Sequence, residues 1–477
     1  MELLLLSSLL FLSLLPCFSS PLLLPLSHSL SPTLFNSTPH LLKSTSSRSA
    51  TRFRHHHRRR RVSLPLSPGA DYTLSFSLGP QTISLYLDTG SDVVWVPCHP
   101  FDCILCEGKY SPSSIPHPSP LNLSSATPLP CKSPLCSAVH SSLPSSHLCA
   151  IANCPLETIE ISDCRKFSCP SFYYAYGDGS FVAKLYHDTL SSSPSFNLPN
   201  FTFGCAHSAL GEPIGVAGFG RGRLSFPAQL ARTSPDIGNY FSYCLIAHAF
   251  DAARVLKPSP LILGRREKKK TPDGEREEEE DDEVLYSYTP MLYNPKHPYF
   301  YCVGLEAVSI GNIKIPAPES LRRVDRRGDG GMVVDSGTTF TMLPRKFYLA
   351  MVGEFGRSVG AAQHRRARGV EERTGLSPCY YGESFDDIPR LTWHFGGNST
   401  VAMPRENYFY EFLDGDAKKK VGCVMVMDGG DEAERGGGPA GLLGNYQQQG
   451  FEVVYDLEAK RLGFARRKCA SLWDTLN

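Results

Sequence analysis

The sequence predicts a mostly β protein with two similar lobes. Its 477 residues exceed the usual size of one domain, and a hydrophobic content of 41% is enough for a large core. Strand-like segments recur along the chain with glycine or proline between them. One short motif occurs twice, and it places one acid in each half.

The first twenty residues predict a cleaved secretory signal. Their thirteen-residue apolar run, from Leu3 to Leu15, is too short to cross a membrane as a helix, and small residues follow it. The alternative is a plastid or other organellar transit peptide, because Glu2 is the only charge before the run and the next stretch is rich in serine. We expect the secretory pathway, ending outside the cell, in the cell wall or in the vacuole, and no stable membrane anchor.

Residues 21–67 predict a basic, Ser- and Pro-rich pro-segment that is disordered. The segment ends in RFRHHHRRRRV, and it has no periodicity that would bury a core. Nucleic-acid binding, or metal binding by His55, His56 and His57, is the alternative. The net charge of +1 favours no acidic partner, so we expect no nucleic acid to bind.

The cysteines indicate an oxidising compartment. Without Cys17 of the signal fifteen remain, and eight of them fall within 67 residues, which is typical of a disulfide-bonded segment. Zinc bound by Cys103 and Cys106 is the alternative. An odd total implies at least one unpaired thiol or an intermolecular bond, and Cys302, inside the strand-like YFYCVGL, is the candidate for a buried free thiol. Four sequons also fit secretion and are candidate glycosylation sites: Asn36, Asn122, Asn200 and Asn398.

The pattern becomes that of strands after Asp71. Two alternating runs, residues 72–78 and 83–87, flank a Gly-Pro-Gln turn and lead directly into Asp88. A helix is predicted over residues 344–359, with Pro344 in its first turn. The charged run 265–283 reads as a solvated loop near the boundary between an N-terminal lobe, 68–285, and a C-terminal lobe, 286–477.

The repeated motif is LYLDTGS, residues 85–91, and MVVDSGT, residues 332–338. Each copy has three apolar residues, then Asp, a hydroxyl residue, Gly and a second hydroxyl residue. Each is followed by an apolar-Gly segment, at 216–220 and at 442–445. The longer interval in the first half fits a Cys-rich insertion, residues 98–169.

Each candidate residue also has an ordinary interpretation. Asp88 alone would be a turn or N-cap aspartate, because Asp-Thr-Gly is good turn chemistry. Tyr176 would pack a hairpin together with Tyr173 and Tyr174, although the Gly-Asp-Gly that follows it is a hairpin turn signal. Trp95 would be a core residue, or would hydrogen-bond to Tyr176, or both.

Taken together, these motifs resemble the pepsin-type aspartic proteases over roughly residues 68–472. The resemblance rests on DTGS and DSGT, Trp95, the YGDGS element and the late apolar-Gly segment. The cysteine cluster, the FGC and FSYC segments, and GNYQQQ followed by VVYD are similar to the nepenthesin-like plant branch. The resemblance implies a bilobal β fold with a cleft between pseudo-symmetric lobes.

The resemblance also implies a catalytic dyad of Asp88 and Asp335. Two close carboxylates do not readily ionise together, so one keeps a proton while the other takes a proton from water, without metal or cofactor. The neighbouring motif residues are expected to support the pair through close backbone amides and hydroxyl hydrogen bonds: Thr89, Gly90, Ser91, Ser336, Gly337 and Thr338. Tyr176 and Gly177 match the flap that closes over substrate.

For the cysteines, the resemblance implies a Cys379–Cys423 pair in the C-terminal lobe and disulfides that crosslink the insertion. Cys149 and Cys154 are additional to the usual set, and their partners stay open. The disulfide candidates are Cys98, Cys103, Cys106, Cys131, Cys136, Cys164, Cys169, Cys205, Cys244, Cys379, Cys423 and Cys469.

The leading functional prediction is a monomeric aspartic endopeptidase that cleaves polypeptides at acidic pH and is made as a secretory precursor. The alternative is a catalytically inactive relative that serves as a binding or inhibitor protein. A Cys-rich or basic-tail interaction module is a third hypothesis, but it leaves the repeated Asp motifs unexplained.

Overall fold

A computed structural model describes residues 21–28, 38–55, 72–106, 120–155, 164–176, 179–193, 196–211, 214–247, 258–265, 284–359, 364–415, 419–430 and 438–476. Most of the regular structure is strand, as the sequence predicts. No helix within these ranges is long and apolar enough to cross a membrane.

The first half of the chain contains eleven strands within the described ranges: β1 (Leu22–His28), β2 (Tyr72–Leu78), β3 (Gln81–Asp88), β4 (Trp95–Ile104), β5 (Thr127–Pro128), β6 (Phe172–Ala175), β7 (Ser180–Ser193), β8 (Phe196–Leu210), β9 (Val216–Gly218), β10 (Tyr240–Cys244) and β11 (Ser259–Leu263). Its helices are α1 (Thr38–His55), α2 (Pro134–Val139), α3 (Ser145–Ile151), α4 (Phe226–Thr233) and α5 (Pro235–Gly238).

The second half continues with shorter strands: β12 (Ser287–Pro290), β13 (Cys302–Val303), β14 (Leu305–Ile310), β15 (Ile313–Pro316), β16 (Met332–Val334), β17 (Thr341–Leu343), β18 (Arg365–Arg366), β19 (Cys379–Tyr381), β20 (Leu391–Phe395), β21 (Ser399–Ala402), β22 (Phe409–Asp414), β23 (Lys419–Val424), β24 (Val426–Asp428), β25 (Gly441–Leu443), β26 (Phe451–Asp456) and β27 (Arg461–Arg466). Its helices are α6 (Glu319–Arg322), α7 (Arg345–Val359), α8 (Arg368–Thr374), α9 (Asn445–Gln448) and α10 (Cys469–Leu476). The structure confirms the helix predicted after Pro344, since α7 ends at Val359.

One large sheet joins the two halves, in the order β12-β27-β26-β10-β11-β1-β2-β3-β9-β4-β8-β7-β5, with β6 paired to β7. Three smaller sheets, in the orders β13-β16-β25-β17-β24, β15-β14-β20-β21 and β18-β19-β23-β22, lie in the second half. A continuous hydrophobic core includes Leu87 and Phe219 of the first half with Val334 and Leu442 of the second. Burial of this apolar surface is the main force that holds the halves together.

Each acid-bearing strand has a parallel partner from its own apolar-Gly segment. In the first half β3 pairs with β9, so that Asp88 lies beside Gly218. In the second half β16 pairs with β25, so that Val334 lies beside Leu443. The two copies of the motif therefore end on equivalent strand-turn units, and each presents its acid at a strand end.

Part of the N-terminal segment is ordered, so the prediction of disorder over residues 21–67 is wrong for β1 and α1. β1 lies between β11 and β2 in the large sheet, where it buries Leu24 and Leu26. α1 buries Leu41 and Leu42. The sequence pattern misses this order because the partner strands lie elsewhere in the chain and supply most of the stabilisation. Residues 56–67, which include His56, His57 and the arginine run, lie outside the described residues.

Seven disulfides link the described cysteines: Cys98–Cys205, Cys103–Cys106, Cys131–Cys149, Cys136–Cys169, Cys154–Cys164, Cys244–Cys469 and Cys379–Cys423. The implied Cys379–Cys423 pair is confirmed, and the two additional cysteines find their partners within the insertion. The alternative of zinc at Cys103 and Cys106 is wrong, since the two form a disulfide with each other. Cys302 is a buried free thiol, as predicted.

The remaining sequence predictions concern the surface. Asn122, Asn200 and Asn398 are exposed, and Asn36 lies outside the described residues. Of the charged run 265–283, only Arg265 is described, and it pairs with Asp456 at 2.9 Å.

Candidate active site

Asp88 lies at the end of β3 and is 1% exposed. The backbone N–H of Gly90 donates to its Oδ1 atom at 2.9 Å, and Ser91 Oγ donates to its Oδ2 atom at 2.8 Å. Both carboxylate oxygens therefore have a fixed donor, which holds the plane of the carboxylate within its turn.

Asp335 repeats this arrangement in the second half of the chain and is also 1% exposed. Gly337 N–H donates to Oδ1 at 2.8 Å, and Thr338 Oγ1 donates to Oδ2 at 2.7 Å. Donors that match those of Asp88 atom for atom give the two acids closely similar hydrogen-bonded environments.

The two acid turns contact each other. A Cβ atom added to Gly90 would lie 2.7 Å from Asp335 Cγ, closer than real Cβ contacts allow. The absence of a side chain at Gly90 therefore lets the turn that carries Asp88 pack directly against the carboxylate of Asp335.

The residues next to the acids exchange hydrogen bonds across the two halves. The N–H of Thr89 donates to Ser336 Oγ at 3.0 Å, and the N–H of Ser336 donates to Thr89 Oγ1 at 2.9 Å. The hydroxyls in turn donate to backbone carbonyls of the opposite strand, Thr89 to Val334 and Ser336 to Leu87, both at 3.0 Å. These four buried bonds set the position of one acid turn relative to the other.

The hairpin of β6 and β7 carries Tyr176. Trp95 Nε1 donates to Tyr176 Oη at 2.7 Å and the Trp95 side chain is fully buried, so Trp95 is both a core residue and a hydrogen-bond partner of Tyr176. The Trp95 ring also stacks on Phe181 of β7, with centroids 4.4 Å apart. Tyr176 is thereby held on the side of the hairpin that faces β4. Gly177, the other predicted flap residue, lies outside the described residues.

Sequence reasoning missed several polar residues behind the acid pair. Tyr455 Oη lies 3.5 Å from Thr89 Oγ1 and 2.8 Å from Tyr243 Oη. Burial raises the pKa of both tyrosines, and the charge of Asp335 adds to the effect. Gln448 Nε2 donates to the backbone carbonyl of Asp335 at 3.3 Å. The glutamines of GNYQQQ and the tyrosine of VVYD, polar residues next to apolar strands, were the available signal.

Among the described residues, no cluster of three or more potential metal ligands lies at this site. The grouping of Cys136, His140 and Cys169 has the necessary spacing elsewhere, but its two sulfurs form a disulfide and are not available as thiolates. The chemistry that the site itself offers is that of two hydrogen-bonded carboxyl groups and a neighbouring tyrosine.

Comparison with known proteins gives the family. The protein-family model described as "Xylanase inhibitor N-terminal" matches residues 72–265 of this chain. The family model described as "Xylanase inhibitor C-terminal" matches residues 300–466. A probable aspartyl protease of Arabidopsis thaliana is 60% identical over 478 residues, which cover 96% of this chain and 95% of that protein. The chain belongs to the pepsin-like aspartic protease family.

More distant members of this protease family agree. Aspartyl protease family protein 2 of Arabidopsis thaliana is 31% identical over 85% of this chain and 72% of its own length. Aspartic proteinase nepenthesin-1 of Nepenthes gracilis is 28% identical over 84% of this chain and 78% of its own length.

Solved structures support the bilobal fold of the family. Conglutin gamma, a basic 7S globulin from lupine seeds, superposes with a TM-score of 0.61 at 18% identity, over 94% of this chain and 95% of its own. Basic 7S globulin from soybean gives a TM-score of 0.61 at 17% identity, over 95% of this chain and 99% of its own. At these identities the likeness concerns the fold alone.

Proposed function

We propose that this protein is an aspartic endopeptidase that uses Asp88 and Asp335 as its catalytic pair. One observation carries the proposal: the two buried acids have matching hydrogen-bond donors, and their turns are in direct contact. Family membership supports the same reaction class.

In this reaction the pair holds one proton. The ionised carboxyl group takes a proton from an attacking water, and the protonated one donates its proton to the carbonyl oxygen of the scissile peptide. Ser91 and Thr338 hold the outer oxygens, which directs the inner face of each acid at the substrate. Tyr176, whose hydroxyl is held by Trp95, closes over the bound chain.

The precursor form is part of this proposal, with residues 1–20 as signal, 21–67 as pro-segment, and lobes at 68–285 and 286–477. α1 packs close to the second acid turn, where Ser49 Oγ accepts the N–H of Phe340 at 3.1 Å. The guanidinium of Arg48 lies 5.8 Å from the ring of Tyr86, two residues before Asp88. A segment in this position obstructs the cleft until acid weakens its contacts, and the route we propose for the chain is the secretory pathway.

A catalytically inactive binding or inhibitor protein is the second candidate. The matching family models carry the description of a xylanase inhibitor, and 7S globulins share the fold. The two candidates differ in whether the acid pair is used. Loss of hydrolysis on mutation of either acid separates them.

The deciding experiment is digestion of a denatured protein at pH 3 to 6 by the purified full chain after incubation in acid. We expect cleavage by the parent protein and a loss of at least about a thousand-fold in Asp88→Ala and in Asp335→Ala. Asp386→Ala removes a carboxylate of the second half whose side chain is 89% exposed, and serves as the control. Absence of cleavage by the parent, or full cleavage by either acid variant, would contradict the proposal.

A further inference from the structure

Asp92 is a second acid of the first motif turn, four residues after Asp88, and the proposed reaction does not use it. Its side chain is partly exposed. Gly218, at the end of β9, and Gly222, just after it, lie against this residue. A Cβ atom on Gly222 would lie 1.9 Å from Asp92 Oδ2, and one on Gly218 would lie 2.7 Å from the backbone carbon of Asp92. The carboxyl group therefore occupies a niche that a larger residue at Gly222 would fill.

Two tyrosines, one from each half of the chain, flank this niche. Tyr174 of β6 directs its hydroxyl at Asp92 Oδ1, 3.4 Å away, and its ring lies 5.1 Å from that of Tyr176. Tyr299 comes from the second half of the chain, and its carbonyl accepts the N–H of Arg221 at 2.9 Å, beside Gly222. Both tyrosines are partly exposed.

Electrostatics places these groups close to the catalytic pair. Burial raises the pKa of Tyr299, and the charges of Asp92 and Asp88 raise it further. The pKa of Tyr174 is raised by burial and then by the same two acids. Asp92 thus lies near Asp88, between Tyr174 of the flap hairpin and Tyr299 of the second half.

Asp92 has no ion pair with any residue that the structure describes. The titratable groups around it are Tyr174, Tyr299 and Asp88, with His297 hydrogen-bonded to Tyr299 at 3.2 Å. Arg221 and Arg223 flank Gly222, but neither pairs with Asp92. Burial raises the pKa of Asp92 to about 6. A carboxylate in such surroundings is stabilised by any cation brought to it.

We propose that Asp92, Tyr174 and Tyr299 form a substrate subsite that binds the side chain of a lysine or arginine. The carboxylate accepts a charge-assisted hydrogen bond from the cation, and the two tyrosines flank it. The proposal rests on the protease function proposed above. Because the carboxyl group is neutral well below pH 6, selection for a basic side chain grows as the pH rises toward that value.

The test uses pairs of fluorogenic peptides that differ only in lysine or norleucine at one position near the scissile bond. The quantity compared is the ratio of kcat/KM for the two peptides, measured from pH 4 to 6.5 with the acid-incubated full chain. We expect the parent protein to favour lysine at one position, increasingly so with pH. Asp92→Asn and Asp92→Ser should lower the ratio there by about ten-fold or more.

Control variants separate the subsite from other roles of Asp92. Asp386→Asn, which alters an exposed carboxylate far along the chain, should leave the ratio unchanged. If Asp92 only tethers the flap through Tyr174, then Asp92→Asn and Tyr174→Phe will slow both peptides equally at a constant ratio, and the subsite is overturned. If the parent protein cleaves neither the peptides of the set nor a denatured protein, the proposed protease function is wrong. The subsite proposal then fails with it.

Discussion

Thr89 and Ser336, 247 residues apart, each donate a backbone N–H to the side-chain oxygen of the other. Both side chains are buried, at 0% and 1% exposure. The relative position of the two acid turns therefore depends on hydroxyl groups that do not touch the carboxylates.

Thr89→Val keeps the shape of this side chain and removes its hydroxyl. The N–H of Ser336 and the carbonyl of Val334 then lose their partner, and each buried orphan costs about 1–3 kcal/mol of unfolding free energy. Urea denaturation measures this loss of unfolding free energy. The proteolytic activity of the variant should fall as well. Thr289→Val is a matched control, because the buried Oγ1 of Thr289 has no hydrogen-bond partner in the part of the chain that the structure describes. Equal costs for the two variants would contradict the role of the exchange.

Gly90→Ala tests the contact between the acid turns. Its Cβ atom would lie 2.7 Å from Asp335 Cγ, so we expect the acids to be displaced and hydrolysis to fall by at least about a hundred-fold. Gly369→Ala lies on α8 with no atom within 4 Å of the added Cβ. This control should be neutral or stabilising by up to about 1 kcal/mol. Normal turnover by Gly90→Ala would show that the contact is not needed.

Tyr176→Phe tests the flap. Removal of the hydroxyl leaves the buried indole N–H of Trp95 without its acceptor, so the hairpin loses its fixed position over the cleft. We expect kcat/KM for a peptide to fall about ten-fold or more, measured against Tyr173→Phe. Tyr173 lies three residues earlier, on β6 of the same hairpin, but is 68% exposed, and its variant should behave like the parent. A comparable loss in both variants would argue against a specific role for Tyr176.

Cys302 provides a prediction about how stability changes with pH. Burial raises the pKa of its thiol from 9.0 to about 12, so the folded protein keeps the thiol protonated. The stability that comes from this protonated form is complete below pH 9 and is lost as the pH rises toward 12. At pH 8, iodoacetamide should label the Cys302 peptide only after denaturant is added, as mass spectrometry of digests can show. Labelling of the folded chain would place Cys302 at an accessible site.

Much of the candidate site was predictable from local sequence. Asp88 and Asp335 stand in repeated motifs, and α7 has a clear helical pattern after Pro344. Tyr176 precedes a turn signal, and Trp95 matches the same resemblance. In each case a few adjacent residues carry the information, because turn chemistry and side-chain periodicity are local properties.

Other features depended on contacts between distant segments. β1 was expected to be disordered, yet it forms because β2 and β11 pair with it. The partners of Cys149 and Cys154 could not be chosen from spacing, since disulfide pairing follows the distance between Cα atoms in the folded chain. The position of Asp92 beside Tyr174 and Tyr299 likewise comes from the folded chain and not from neighbouring residues in the sequence.

By itself, the sequence predicted the residues that we propose carry the chemistry: two acids in matching turns, each with its own amide and hydroxyl donors. Only the tertiary structure decided that these turns contact each other, that Thr89 and Ser336 hold them in register, and that a third acid shares the cleft. The physical reason is the sequence separation over which the interactions act. Donors within a turn lie two or three residues from the acid, whereas the alignment of two turns comes from buried apolar surface and hydrogen bonds between segments far apart in the chain.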